Sequence, residues 1–164
     1  MLNLNHNLYS ALEQGSNKTI NSLEQLFFES KKLLVNEFDL KRTPEHNCSH
    51  FKRLLFDEKL GDMLLKLELI YFTGLEWTGP HIHPEFVLDE VLTGELLEQI
   101  YNKQGTNYNK DKLNIRPTGD FRAIYDPQGH PHNVIAKDGP SCVLCLSLGK
   151  NSVTSIHNSH LTLD

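Results

Sequence analysis

Residues 79–96 read Gly-Pro-His-Ile-His-Pro-Glu-Phe-Val-Leu-Asp-Glu-Val-Leu-Thr-Gly-Glu-Leu, running from Gly79 to Leu96. A turn signal, Gly79-Pro80, leads into a run of strand formers punctuated by Gly94. In a strand, residues i and i+2 project from one face about 7 Å apart, so His81 and His83 present two imidazoles to the same side. Rings placed in this way can grip one metal ion. A second pair, His130 and His132, lies farther on, in Pro127-Gln128-Gly129-His130-Pro131-His132-Asn133-Val134.

Around these motifs the chain changes period. Short strand-like runs are expected at 64–72, 86–92, 95–101, 121–125, 133–136, 142–148 and, more weakly, 152–156. Seven or eight such strands at regular spacing suggest a sandwich or barrel. The polar stretch 102–112 reads as a loop. Upstream, apolar residues at 20, 23, 27, 34 and 38 follow a helical period, with Asn21 and Glu24 as a capping-box-like start. A shorter helix is expected over 45–57, stopped by Gly61. The expected organisation is a single domain. Residues 1–62 form a helical segment packed on a barrel of residues 63–164.

The bulk properties narrow the function classes. The chain has 164 residues, 38% hydrophobic and 23% charged, with a net charge of −5. This is the balance of a globular protein. No basic stripe offers itself to phosphates, which argues against a nucleic-acid partner. No apolar run approaches the roughly 20 residues that span a bilayer. The first fifteen residues lack the basic and apolar regions of a secretory signal. Three cysteines (Cys48, Cys142 and Cys145) suit a reducing cytosol better than a disulfide scaffold. The expectation is a cytoplasmic protein acting on a small molecule. Cys142 and Cys145 fall on opposite faces of one strand and read as small core hydrophobes.

Nine histidines are the unusual entry in this composition. His46 and His50 share a face of the expected second helix, with Cys48 between them, but no further ligand stands nearby. His157 and His160 lie near the C-terminus, and His6 has no chemical context.

The ordered pair of motifs resembles the cupin superfamily. Its first motif has His-x-His, then Glu, then six residues to a Gly. Its second has Gly-Asp, here Gly119-Asp120, a short strand, Pro-x-Gly and a His. The resemblance covers roughly residues 64–157 and implies a mainly β fold, a cupin-like double-stranded β-helix (jelly-roll) barrel, with the α-helical segment outside the conserved part. It implies His81, His83 and His132 as metal ligands. The family's Glu falls on Val87, which cannot ligate; Glu85 and Asp89 flank it on the same strand face. The spacing from Gly119 to Pro127 is two residues longer than usual, an even insertion that preserves facing.

A three-His set is similar to that of cupin thiol dioxygenases, which hold Fe(II) and oxidise a small thiol with dioxygen to a sulfinate. Zn, Mn or Ni also suit imidazole donors. Some of these enzymes carry a Ser-His-Tyr relay where this chain has Cys145, Ser147 and Gly149, so the relay is absent. Arg122 is a candidate clamp for a substrate carboxylate. Tyr101 and Tyr125 are candidates for a catalytic hydroxyl. Two other readings remain open. One is a cupin lyase or isomerase using the metal as Lewis acid, with Glu85 or Asp89 as base. The other is a non-catalytic ligand-binding or sensor cupin. A homodimer is compatible with the resemblance and with the apolar N-terminal helix.

Overall fold

The sequence divides into two compact units, Met1–Phe38 and Asp39–Asp164. A computed structural model describes residues 17–37, 49–83, 86–125, 131–150 and 154–155. In the first unit the helical period produces α1 (Asn17–Glu37). Leu23, Leu26, Phe27 and Leu34 are buried along one stripe, as a 3.6-residue period requires. Ser30 joins that stripe by donating its hydroxyl to the Leu26 carbonyl at 2.7 Å. The helix begins one turn before Asn21, so Asn21 is an interior position rather than the cap.

The second unit is the expected mainly β jelly-roll, with eight strands among the described residues. They are β1 (His50–Leu60), β2 (Met63–Phe72), β3 (His81–Ile82), β4 (Phe86–Gln104), β5 (Asn107–Pro117), β6 (Phe121–Tyr125), β7 (His132–Gly149) and β8 (Thr154–Ser155). All pairings are antiparallel, and two long strands serve both sheets. One sheet runs β1-β2-β7-β4-β6, using the second half of β7 and the first half of β4. The other runs β5-β4-β7-β3-β8, using the remaining halves. Thus β4 and β7 turn the same corner side by side.

That corner is built from backbone. Gly94 sits at φ 79°, a region where a side chain is strained. A Cβ there would fall 2.3 Å from Ser141 Oγ. On β7 the matching bend is made by Asp138 and Gly139, at φ 56° and 131°. The separate strands expected at 86–92 and 95–101, and at 133–136 and 142–148, are therefore halves of β4 and β7.

Two further expectations change. Residues 50–60 form β1, not the end of a helix, because they pair along β2 from His50↔Phe72 to Leu60↔Met63, with one register shift between Leu54 and Phe56. Phe51 stacks on Tyr71 with ring centroids 4.5 Å apart. The stretch 102–112 is a hairpin, with Gln104 paired to Asn107 around Gly105 and Thr106. Its polar residues on both faces suit a ribbon surrounded by water.

The core lies between the sheets and gathers Ile70, Phe72, Val87, Val91, Leu96, Val134 and Val143. Burial of each such side chain stabilises by about 1.5–3 kcal/mol. The opposite face of the first sheet is also buried, through Leu65, Leu67, Leu69, Leu88, Leu144 and Leu146. This explains why β2 and β7 read as almost continuous apolar runs. Among the described residues, no helix is long and apolar enough to cross a membrane.

Candidate metal centre

The short strand β3 pairs with the start of β7 at a single bridge, His81↔His132. This bridge brings the two sequence motifs together. Alternation turns His83 to the same side as His81, and His132 faces inward beside Ile100 of β4. Three imidazoles therefore meet at the wall of a cavity of about 190 Å³.

Their Nε2 atoms form a nearly regular triangle. His81 and His83 stand 3.2 Å apart, His83 and His132 2.7 Å, and His132 and His81 3.0 Å. Metal–nitrogen bonds of about 2.1 Å meeting at right angles set neighbouring nitrogens about 3.0 Å apart, whereas tetrahedral angles set them about 3.4 Å apart. The triangle thus fits three adjacent corners of an octahedron. Among the described residues, these three make the one group of His, Cys, Asp and Glu arranged to hold a metal ion.

Hydrogen bonds on the far ring nitrogens orient the donors. His81 Nδ1 donates to the Gly79 carbonyl at 2.8 Å, leaving the Nε2 lone pair free. His132 Nδ1 meets Glu98 Oε1, the carboxylate–histidine pairing common behind metal ligands. Burial, followed by the neighbouring His132, pushes His81 down to about 3. Burial also holds His83 well below the usual imidazole range. Both rings remain neutral donors at neutral pH. Imidazoles that bind through a ring lone pair are neutral ligands, so three of them would leave a divalent ion's charge intact.

Behind His132 runs a chain of alternating charges. Glu98 is fully buried and accepts two bonds from Arg122 Nη1, at 2.6 and 2.7 Å. Arg122 also grips Asp89 through Nε and Nη2, at 2.9–3.0 Å. Asp89 accepts from a second partner, Arg116 Nη2 at 2.6 Å, and Arg116 Nε reaches Asp120 at 2.6 Å. Burial works against charge on Arg122, but Asp89 and Glu98 more than reverse it and hold the guanidinium protonated.

The remaining candidates separate clearly. Arg122 does reach the cavity wall, but its donors are engaged by Asp89 and Glu98. Tyr101 is buried, yet its hydroxyl bonds Asn133 and it does not line the cavity. The Tyr125 side chain, Glu85, His46, Cys48, His130, His157 and His160 lie outside the described residues. Val87 is fully buried in the core. Asp89 lines the cavity, but its carboxylate is shared between two arginines. Cys142 and Cys145 are both buried free thiols. Burial pushes Cys142 up to about 12 and Cys145 upward as well.

Sequence reasoning did not find Glu98, the Asp89–Arg116–Arg122 cluster, or His50 and Lys52 in the cavity wall. For Glu98 a signal exists. It falls in phase with Leu96 and Ile100, both buried, so β4 places a carboxylate on its apolar face.

No family model matches the chain, and no curated protein matches it. Solved structures do. An oxalate oxidase is 17% identical with a TM-score of 0.52, over 74% of this chain and 63% of that one. An oxalate oxidase in complex with glycolate is 18% identical with a TM-score of 0.51, over the same 74% and 63%. A cupin 2 conserved barrel domain protein from Rhodopseudomonas palustris is 14% identical with a TM-score of 0.51, over 73% and 76%. The chain spans a little under two thirds of the oxalate oxidase chain. These likenesses concern the fold, which is a cupin barrel.

Proposed function

We propose that this cupin barrel is a mononuclear metal-dependent enzyme, and that it is an Fe(II) dioxygenase of a small thiol or related organic acid. The observation that carries the reading is the Nε2 triangle of His81, His83 and His132, which fits an octahedral ion without a carboxylate ligand. A bound Fe(II) ion would supply the capacity to activate dioxygen next to a thiol substrate. The chain's own part is positional. Gly79 and Glu98 fix two ligand rings, and neutral ligands leave positive charge for an anionic substrate to balance. Ile70, Phe72 and Val143 supply apolar side chains to the cavity wall. At about 190 Å³ the cavity is below the 300–1,000 Å³ of drug-sized pockets, so the substrate is small.

Loading the full chain with Fe(II) and recording oxygen uptake across a panel of small thiols tests the reading. The expected result is one iron per chain and uptake with at least one thiol, both lost in His83→Ala. Full iron occupancy with no uptake across the panel overturns it. Turnover without oxygen, supported by Zn or Mn, would instead indicate Lewis-acid chemistry. For that alternative Asp89 is a poor base, because two arginines already hold its carboxylate.

A further inference from the structure

We propose that Lys52 is the anion-recognition residue of this cavity, and that the substrate carries a carboxylate or similar anion apart from the atom that meets the metal. The inference rests on the metal-site reading above and names the substrate class of that site.

Among the described residues, three cations line the cavity: Lys52, Arg116 and Arg122. The two arginines are held by the protein itself. Arg116 bonds Asp89 and Asp120, each at 2.6 Å, and Arg122 bonds both Asp89 and Glu98. Their fixed forks point at internal carboxylates, and breaking either pair would strand a buried charge. Lys52 differs. Its Nζ forms a loose ion pair with Glu68 Oε2 at 3.9 Å, too long for a hydrogen bond. Its side chain keeps 32% exposure, so its three donors remain available to an incoming anion.

Its placement suits that task. Lys52 lies opposite Ile70 in the β1–β2 register, and Ile70 is part of the cavity wall. His50, two residues earlier on the same face, also lines the cavity and stacks on Phe72 with ring centroids 5.9 Å apart. Lys52 and the three ligand rings of His81, His83 and His132 line the same cavity. The lining that Lys52 and the histidines share also holds the apolar side chains Ile70, Phe72 and Val143. A molecule bridging the two ends therefore has a metal-binding group, a short apolar middle and an anionic terminus.

The test uses the full chain loaded with Fe(II) under anaerobic conditions, with affinities read by calorimetry. One probe pair is 3-mercaptopropionate and its amide. The other is imidazole-4-acetate and its amide, in which a ring nitrogen replaces sulfur as the metal-binding atom. In the parent protein the carboxylate member of a pair binds about tenfold more tightly, as one charge-assisted hydrogen bond implies. Lys52→Met brings the two members to similar affinity, Lys52→Arg retains the preference, and neither variant changes the iron content. A preference that survives Lys52→Met, or no preference in either pair, overturns the inference. If neither thiol binds but imidazole-4-acetate shows the Lys52-dependent preference, the inference stands and the thiol reading falls.

Discussion

His132 and the pair His81/His83 deliver nitrogen to the same point but are fixed by different means. His81 is set locally. Its ring bonds the carbonyl two residues back, within the turn that introduces β3. Thr78 ties that turn to β7 by accepting from Val134 N at 3.1 Å and donating to Asn133 at 3.2 Å. His132 is set from a distance. Its partner Glu98 belongs to β4, and the charges that hold Glu98 come from β6, β5 and again β4. A turn can position a ligand with neutral groups near water. A ligand facing the interior needs a buried carboxylate, and that carboxylate needs its own counter-ions.

Breaking the distant support should have the largest effect. Arg122→Met leaves Glu98 and part of Asp89 buried without a counter-charge, and about 3–5 kcal/mol of unfolding free energy should be lost. Chemical denaturation of the metal-free chain measures this. Glu98→Gln keeps the shape but removes the carboxylate behind His132. Metal affinity should fall about 10–100-fold, read by competition with a chelator, while the His81–Gly79 bond is untouched. On the local side, Thr78→Val should cost only about 1 kcal/mol. A loss as large as that of Arg122→Met would mean that the two supports are not distinct.

Acidity sharpens the contrast further. The folded metal-free protein holds His81 down to about 3, against about 6.5 when unfolded. Between those values the unfolded chain binds the extra proton and the folded chain does not, so stability falls as pH falls. The melting temperature of the metal-free chain should drop between pH 7 and pH 4. The dependence should be shallower in His81→Asn, which has no ring to protonate.

The sequence made the local support readable and the distant one obscure, for a physical reason. His81 and His83 lie in one strand, where alternation alone assigns their face. His132 followed from its motif. The pairing of Glu98 with Arg122, Asp89 and Arg116 joins three strands, and register between strands is not written in any one of them. Strand ends were misplaced where backbone bends. Gly94 and Asp138-Gly139 look like terminators, yet β4 and β7 pass through them into the second sheet. Residues 50–57, the described part of the helix expected over 45–57, looked helical because Phe51, Leu54 and Leu55 keep i, i+3, i+4 spacing. Their pairing with β2 overrides that local preference. The hairpin at 104–107 has no apolar face to announce it, and only its Gly105 hinted at a turn.

The single bridge His81↔His132 has a topological meaning. The two residues are 51 apart in sequence, and an ion shared between their rings would close that stretch into a loop. On the chain-entropy account of cross-links, tying off a loop of this length disfavours the unfolded state by about 4 kcal/mol. The described cysteines are free and buried and cannot supply such a tie. In this chain the metal would do the work of a disulfide, as a staple that chelation removes and metal restores.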